Sequence, residues 1–80
     1  MIRVLLADDE AMIRSALAAL LRMEDDIEVV AECVDGPSAL AALVETKADV
    51  CVLDLEMPGL DGVETAQRLQ RTAPTRCIVV

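Results

Sequence analysis

Four short apolar runs, each separated from the next by one stretch of helical periodicity, constrain this chain more than any other feature. They are Ile2 to Ala7 (broken only by Arg3), a run near 28–33, Val50 to Leu55 (broken only by Asp54), and Arg76 to Val80. Runs of this length, rich in Val, Ile and Leu and bounded by acids or turn residues, read as strands buried on both faces. Between them, Ala11 to Met23 repeats Ile13, Leu17, Leu20 and Leu21 at helical spacing. A second helix starts at Pro37 or Ser38, with Leu40, Leu43 and Val44 as its apolar stripe, and ends near Thr46. A third, Val63 to Arg71, carries Val63, Ala66 and Leu69 and stops at Ala73-Pro74. Strands alternating with single helices specify βαβ units: a doubly wound α/β fold, with a parallel sheet and helices on both faces. There is no linker, repeat or low-complexity segment, so the chain is expected to form one unit.

Composition narrows the function classes. The chain has 80 residues, 55% hydrophobic, with a net charge of −8 and no Phe, Tyr or Trp. That apolar content is too high for intrinsic disorder. The acidity argues against nucleic acid or an anionic membrane as a direct partner, since both require Lys/Arg patches. Charges interrupt every apolar run well before the roughly 20 residues a membrane helix needs. Met1-Ile2-Arg3-Val4 lacks the organisation of a signal peptide. Cys33, Cys51 and Cys77 are odd in number, widely spaced and unaccompanied by any His, so no zinc pattern can be drawn. Each sits in an apolar run, which predicts buried free thiols and a reducing, cytoplasmic setting.

Three acids stand where chemistry is expected. Asp8 and Asp9 follow the first strand, and Asp54 lies near the end of the third. In open α/β sheets, sites form outside the carboxyl ends of the strands, at a switch point in strand order. If the first and third strands are neighbours, the three carboxylates converge. Charges so placed repel unless a cation joins them, and Mg²⁺, small and oxygen-seeking, is the natural partner. The plainer alternative is that these acids only cap helices and end strands. Asp54 resists it, because a lone Asp after Val50-Cys51-Val52-Leu53 must justify its desolvation.

These residues carry a resemblance. Val4-Leu5-Leu6-Ala7-Asp8-Asp9, Asp54-Leu55-Glu56-Met57-Pro58-Gly59 and the following Asp61-Gly62 resemble the receiver domain of bacterial two-component response regulators, along the whole chain. Asp25-Asp26-Ile27-Glu28-Val29-Val30-Ala31-Glu32 resembles the NarL/FixJ-type branch, whose members carry a C-terminal DNA-binding domain; regulators of membrane-lipid desaturation are the nearest in wording. The resemblance implies a flavodoxin-like sheet, of order 2-1-3-4-5 when complete. It implies that Asp54 is the phosphoacceptor, taking a phosphoryl group from a sensor histidine kinase. Asp8, Asp9, Asp54 and the backbone carbonyl of Glu56 would hold Mg²⁺. Pro58 and Gly59 would fix that loop, and Gly62 would ease a tight helix start. Met12 and Ala16, beside the acidic pair, match the region that docks the kinase. The module would relay a signal rather than act as an enzyme, and would reach DNA only through an output domain.

The family also places a Thr or Ser after the fourth strand and a Lys after the fifth, positions beyond Val80. Residues 1–80 are therefore expected to be a partial receiver domain that lacks the fourth helix, fifth strand, fifth helix and output domain. The alternative expectation is that such a piece is a non-signalling fragment, retaining Mg²⁺ binding at Asp8, Asp9 and Asp54 at most, that self-associates through its bare β-edge and sheet face. A Mg²⁺-dependent phosphohydrolase with an aspartyl nucleophile is the enzymatic alternative, but Asp54-Leu55-Glu56 lacks the second Asp of a D-x-D acid/base. Lys47 reads as a solvated surface residue. Arg68, Arg71 and Arg76 read as charges that complement a helix end, and Glu24-Asp25-Asp26 as a solvated turn without EF-hand spacing.

Overall fold

A computed structural model describes all 80 residues. The elements run β1 (Ile2–Ala7), α1 (Ala11–Arg22), β2 (Ile27–Cys33), α2 (Gly36–Thr46), β3 (Val50–Leu53), α3 (Gly62–Thr72) and β4 (Arg76–Val79). The strands form one sheet in the order β2-β1-β3-β4, with every pair parallel. The parallel, doubly wound arrangement is the one expected from the alternation of runs, and its strand order is the part of the flavodoxin-like order that the resemblance implied. The strand β3 ends one residue before Asp54, earlier than the apolar run suggested. Hydrogen bonding nevertheless continues past it: Asp54 N donates to Ala7 O at 2.9 Å and Leu55 N to Val80 O at 2.8 Å. The backbone turns there while its amides still face the neighbouring strands.

Alternate residues of the two central strands point to opposite faces. On one face Leu5, Ala7, Cys51 and Leu53 pack with Cys33 against Ala39 and Leu43 of α2 and Leu69 of α3. On the other, Val4 and Leu6 pack against Ala18 of α1. Leu5, Leu43, Leu53 and Leu69 are fully buried, each contributing roughly 1.5–3 kcal/mol relative to exposure.

The helix faces differ from the periodicity reading. In α1 the sheet-facing line is Leu17, Ala18 and Leu21, while Ile13 and Leu20 are exposed. In α2 it is Ala39 and Leu43, with Val44 in solvent. In α3, Gly62, Thr65 and Leu69 are buried and Val63 is exposed. Small residues explain the shifts. Ala18, Ala39 and Gly36 let backbones approach the sheet or another helix closely, and hydropathy alone underrates them as core positions. A Cβ on Gly36 would sit 2.9 Å from Leu60 Cβ and 2.7 Å from Thr65 Oγ1.

Local signals fix the helix ends. Asp35 and Ser38 form a capping box: Ser38 N donates to Asp35 Oδ1 at 2.8 Å, and Asp35 N donates to Ser38 Oγ at 3.3 Å. Asp61 caps α3 by accepting from Glu64 N at 2.8 Å. At the end of α2, Lys47 adopts the left-handed conformation with φ 55° and closes on Leu43 O. All three cysteines are free, and Cys33 and Cys51 are buried. No helix is long and apolar enough to cross a membrane.

Candidate functional site

Because β1 and β3 are hydrogen-bonded neighbours with Ala7 opposite Leu53, their carboxyl ends lie side by side. Asp8 and Asp9 leave one strand, and Asp54 leaves the other. One carboxylate oxygen from each of the three lies within 4.8 Å of the other two. They sit in an open depression that Glu56, Met57, Pro58, Ile13 and Val80 also line.

The three acids have different surroundings. Asp8 is buried, and its Oδ1 accepts from Glu10 N at 2.8 Å, which leaves one oxygen uncommitted. Asp54 is half-buried, and its carboxylate has only a long contact, 3.5 Å, from Glu56 N. Asp9 is exposed. A capping role therefore accounts for part of Asp8 and for neither Asp9 nor Asp54. The N-cap of α1 is Glu10, and no side chain caps it. The ion pairs of the molecule lie elsewhere, at Arg3–Glu28, Arg14–Glu32, Arg22–Glu32 and Arg68–Glu64. Three carboxylates thus meet without a salt-bridged Lys or Arg. Such a set of hard oxygen donors fits a hard divalent cation of the Mg²⁺ type.

The loop after Asp54 is pinned at both ends. Gly62 N donates to Leu55 O at 2.8 Å, and Leu60 N to Pro58 O at 3.2 Å. Gly59 takes φ +86°, a conformation glycine adopts without penalty. Met57 tucks against the main core. Gly62 has a stricter role than easing a helix start. A Cβ there would press on the Asp54 carbonyl oxygen and come within 2.9 Å of Leu55 Cα. Only a residue without a side chain lets α3 begin directly against the peptide that carries Asp54.

Glu56 lies in the same depression. Met12 is 85% exposed on α1, and Ala16 is exposed one turn on. Lys47 precedes β3 and so lies at the opposite end of the sheet from the acids. Arg68 pairs with Glu64 at 3.3 Å, and Arg71 donates to Gln67 O, both contacts of the helix surface. Sequence reasoning missed Arg14, whose Nη1 donates to Asp8 O at 2.7 Å. A charged residue inside an amphipathic helix gives no hint of such a contact.

The model of the response regulator receiver domain family matches residues 4–80. The transcriptional regulatory protein LiaR of Bacillus subtilis is 44% identical over 80 residues, all of this chain and 38% of LiaR. The chain thus spans less than two-fifths of that relative's length. The response regulator domain of Thermotoga maritima CheB superposes with a TM-score of 0.94 at 39% identity, covering 99% of this chain and 59% of that one. The signal receiver domain of the putative response regulator NarL from Mycobacterium tuberculosis gives 0.92 at 33% identity, covering 98% and 64%.

Proposed function

The chain belongs to the response regulator receiver family, and we propose that within it Asp54 accepts a phosphoryl group from a sensor histidine kinase, with Mg²⁺ held by Asp8, Asp9, Asp54 and the backbone carbonyl of Glu56. The observation that carries this reading is the convergence of three carboxylates from two adjacent strand ends within 4.8 Å. Asp54 is the acceptor of the three because its side chain is the least committed of the two that are shielded from water. An Asp54 oxygen attacks the phosphorus of an N-phosphohistidine. A P–O bond forms as the P–N bond breaks, and the departing imidazole takes a proton from solvent. Mg²⁺ bound at the acids supplies charge neutralisation where phosphoryl oxygens meet carboxylates. The protein's share is positioning. Asp54 N on Ala7 O and the Gly62–Leu55 closure hold the acceptor's backbone while the loop shapes one wall of the depression.

The kinase is expected to approach over α1. Met12, Ile13 and Leu20 are exposed there, and Ile13 also lines the acidic depression. Phosphorylation in the cytoplasm would then control an output borne by other parts of the protein. LiaR, a transcriptional regulatory protein, favours transcriptional control as that output. Incubation with a small-molecule phosphodonor and Mg²⁺ should label the chain, and either chelation or Asp54→Asn should abolish the label. Undiminished labelling of Asp54→Asn would overturn the assignment.

A second reading concerns assembly. On the α1 side of the sheet Ile78 is 52% and Val80 64% exposed, and β4 is an open edge. That surface supports self-association of the 80-residue chain.

A further inference from the structure

Asp8 and Asp9 share one peptide, so whatever fixes that peptide sets where both side chains leave the backbone. The amide of Asp8 still belongs to the sheet and donates to Cys33 O at 3.0 Å. Its carbonyl has left the ladder, and no backbone amide takes it. A shielded carbonyl without a donor is costly. Arg14 Nη1 supplies one at 2.7 Å, from the first turn of α1. The guanidinium is held in turn, with Nε 4.0 Å from Glu32 Oε1 and the side chain only 16% exposed. That degree of shielding is unusual for an arginine. Arg14 reaches the acidic pair through the Asp8 main-chain carbonyl and forms no ion pair with any of the three carboxylates, so it contributes geometry at the acids rather than a competing cation.

We infer that Arg14 is a positioning residue for the acidic site: by holding the Asp8–Asp9 peptide against α1, it aims both carboxylates at the point they share with Asp54. The inference rests on the reading of that site as a Mg²⁺ and phosphoryl site. Asp9 makes its own position the reason such a tie is needed. It is exposed, and no side-chain hydrogen bond or ion pair restrains it, so the peptide that precedes it is the one restraint on where it starts. Partners of this kind, one step removed from the ligands, commonly change metal affinity by about 10- to 100-fold.

The test is Mg²⁺ binding by titration calorimetry on the intact chain, beside its Arg14→Ala, Arg14→Lys and Arg22→Ala variants. Arg22 pairs with the same Glu32, at 3.2 Å, and does not touch Asp8. It controls for simple loosening of α1 on β2. Arg14→Ala should bind Mg²⁺ roughly 10- to 100-fold more weakly, Arg14→Lys should fall between it and wild type, and Arg22→Ala should match wild type. Unchanged affinity in Arg14→Ala, or an equal loss in Arg22→Ala, overturns the inference. Should Arg14→Ala not fold, Arg14→Lys decides alone: weaker binding than wild type supports the role, and wild-type binding overturns it. Absence of Mg²⁺ binding by the wild-type chain would instead overturn the underlying reading of the site.

Discussion

At the scale of single residues, burial does two different things to ionisable groups here. Around Asp8, Asp9 and Asp54 the fold gathers charge at the rim of the sheet. Under α2 and α3 it suppresses charge. Burial, reinforced by Cys51 and Asp35 nearby, pushes the Cys33 thiol up from 9.0 to about 11. Burial likewise raises Cys77 to about 11 and raises Cys51. A folded value above the unfolded one means the unfolded chain releases these protons first as pH rises. The thiols' contribution is therefore complete below about pH 9 and is lost between about pH 9 and 11. Urea unfolding midpoints should fall across that window, and Cys33→Ala should make the fall shallower. An unchanged slope in that variant would remove Cys33 from the explanation. The acids were legible in the sequence because a charge inside an apolar run is conspicuous. Arg14 was not, because its meaning lies in a carbonyl six residues away that only the turn out of β1 leaves free.

At the scale of elements, the strands were the most legible part. Their apolar runs leave no alternative placement, and parallel order follows from the intervening helices. Helix positions were equally clear, capped as they are at Asp35 and Asp61. Which helix face meets the sheet was not clear. Ile13, Leu20, Val44 and Val63 have the hydropathy of core residues and lie exposed. Ala18, Ala39, Gly36 and Gly62 take their places, since close approach is decided by size. The β3–α3 loop depends on the same fact. Gly62→Ala should destabilise the chain by about 1–3 kcal/mol, the usual effect of overpacking. It should also lower the Mg²⁺-dependent labelling of Asp54, because the clash falls on the Asp54 carbonyl. Chemical denaturation and phosphorylation of the same variant check both parts. Loss of stability with full labelling would separate the loop from the site.

At the scale of the whole molecule, the two sheet faces are unequal. The face under α2 and α3 is a continuous core that runs from Cys33 to Leu69. The α1 face is covered over β1 and β2, leaving Ile78 and Val80 on its β4 side in solvent. Sedimentation of the 80-residue chain should show concentration-dependent association, reduced by Ile78→Lys. A monomer at every concentration would contradict that reading and leave phosphoryl acceptance untouched. The acidic depression lies at the carboxyl end of this same sheet, where two strand ends and one glycine-limited loop converge. The central claim is that this convergence makes Asp54, and neither of its two neighbours, the acceptor. Borohydride reduction of the phosphorylated chain tests it most directly, since it converts an aspartyl phosphate to homoserine that peptide mass mapping can locate. The account predicts homoserine at position 54 alone; homoserine at position 8 or 9, or at none of the three, would contradict it.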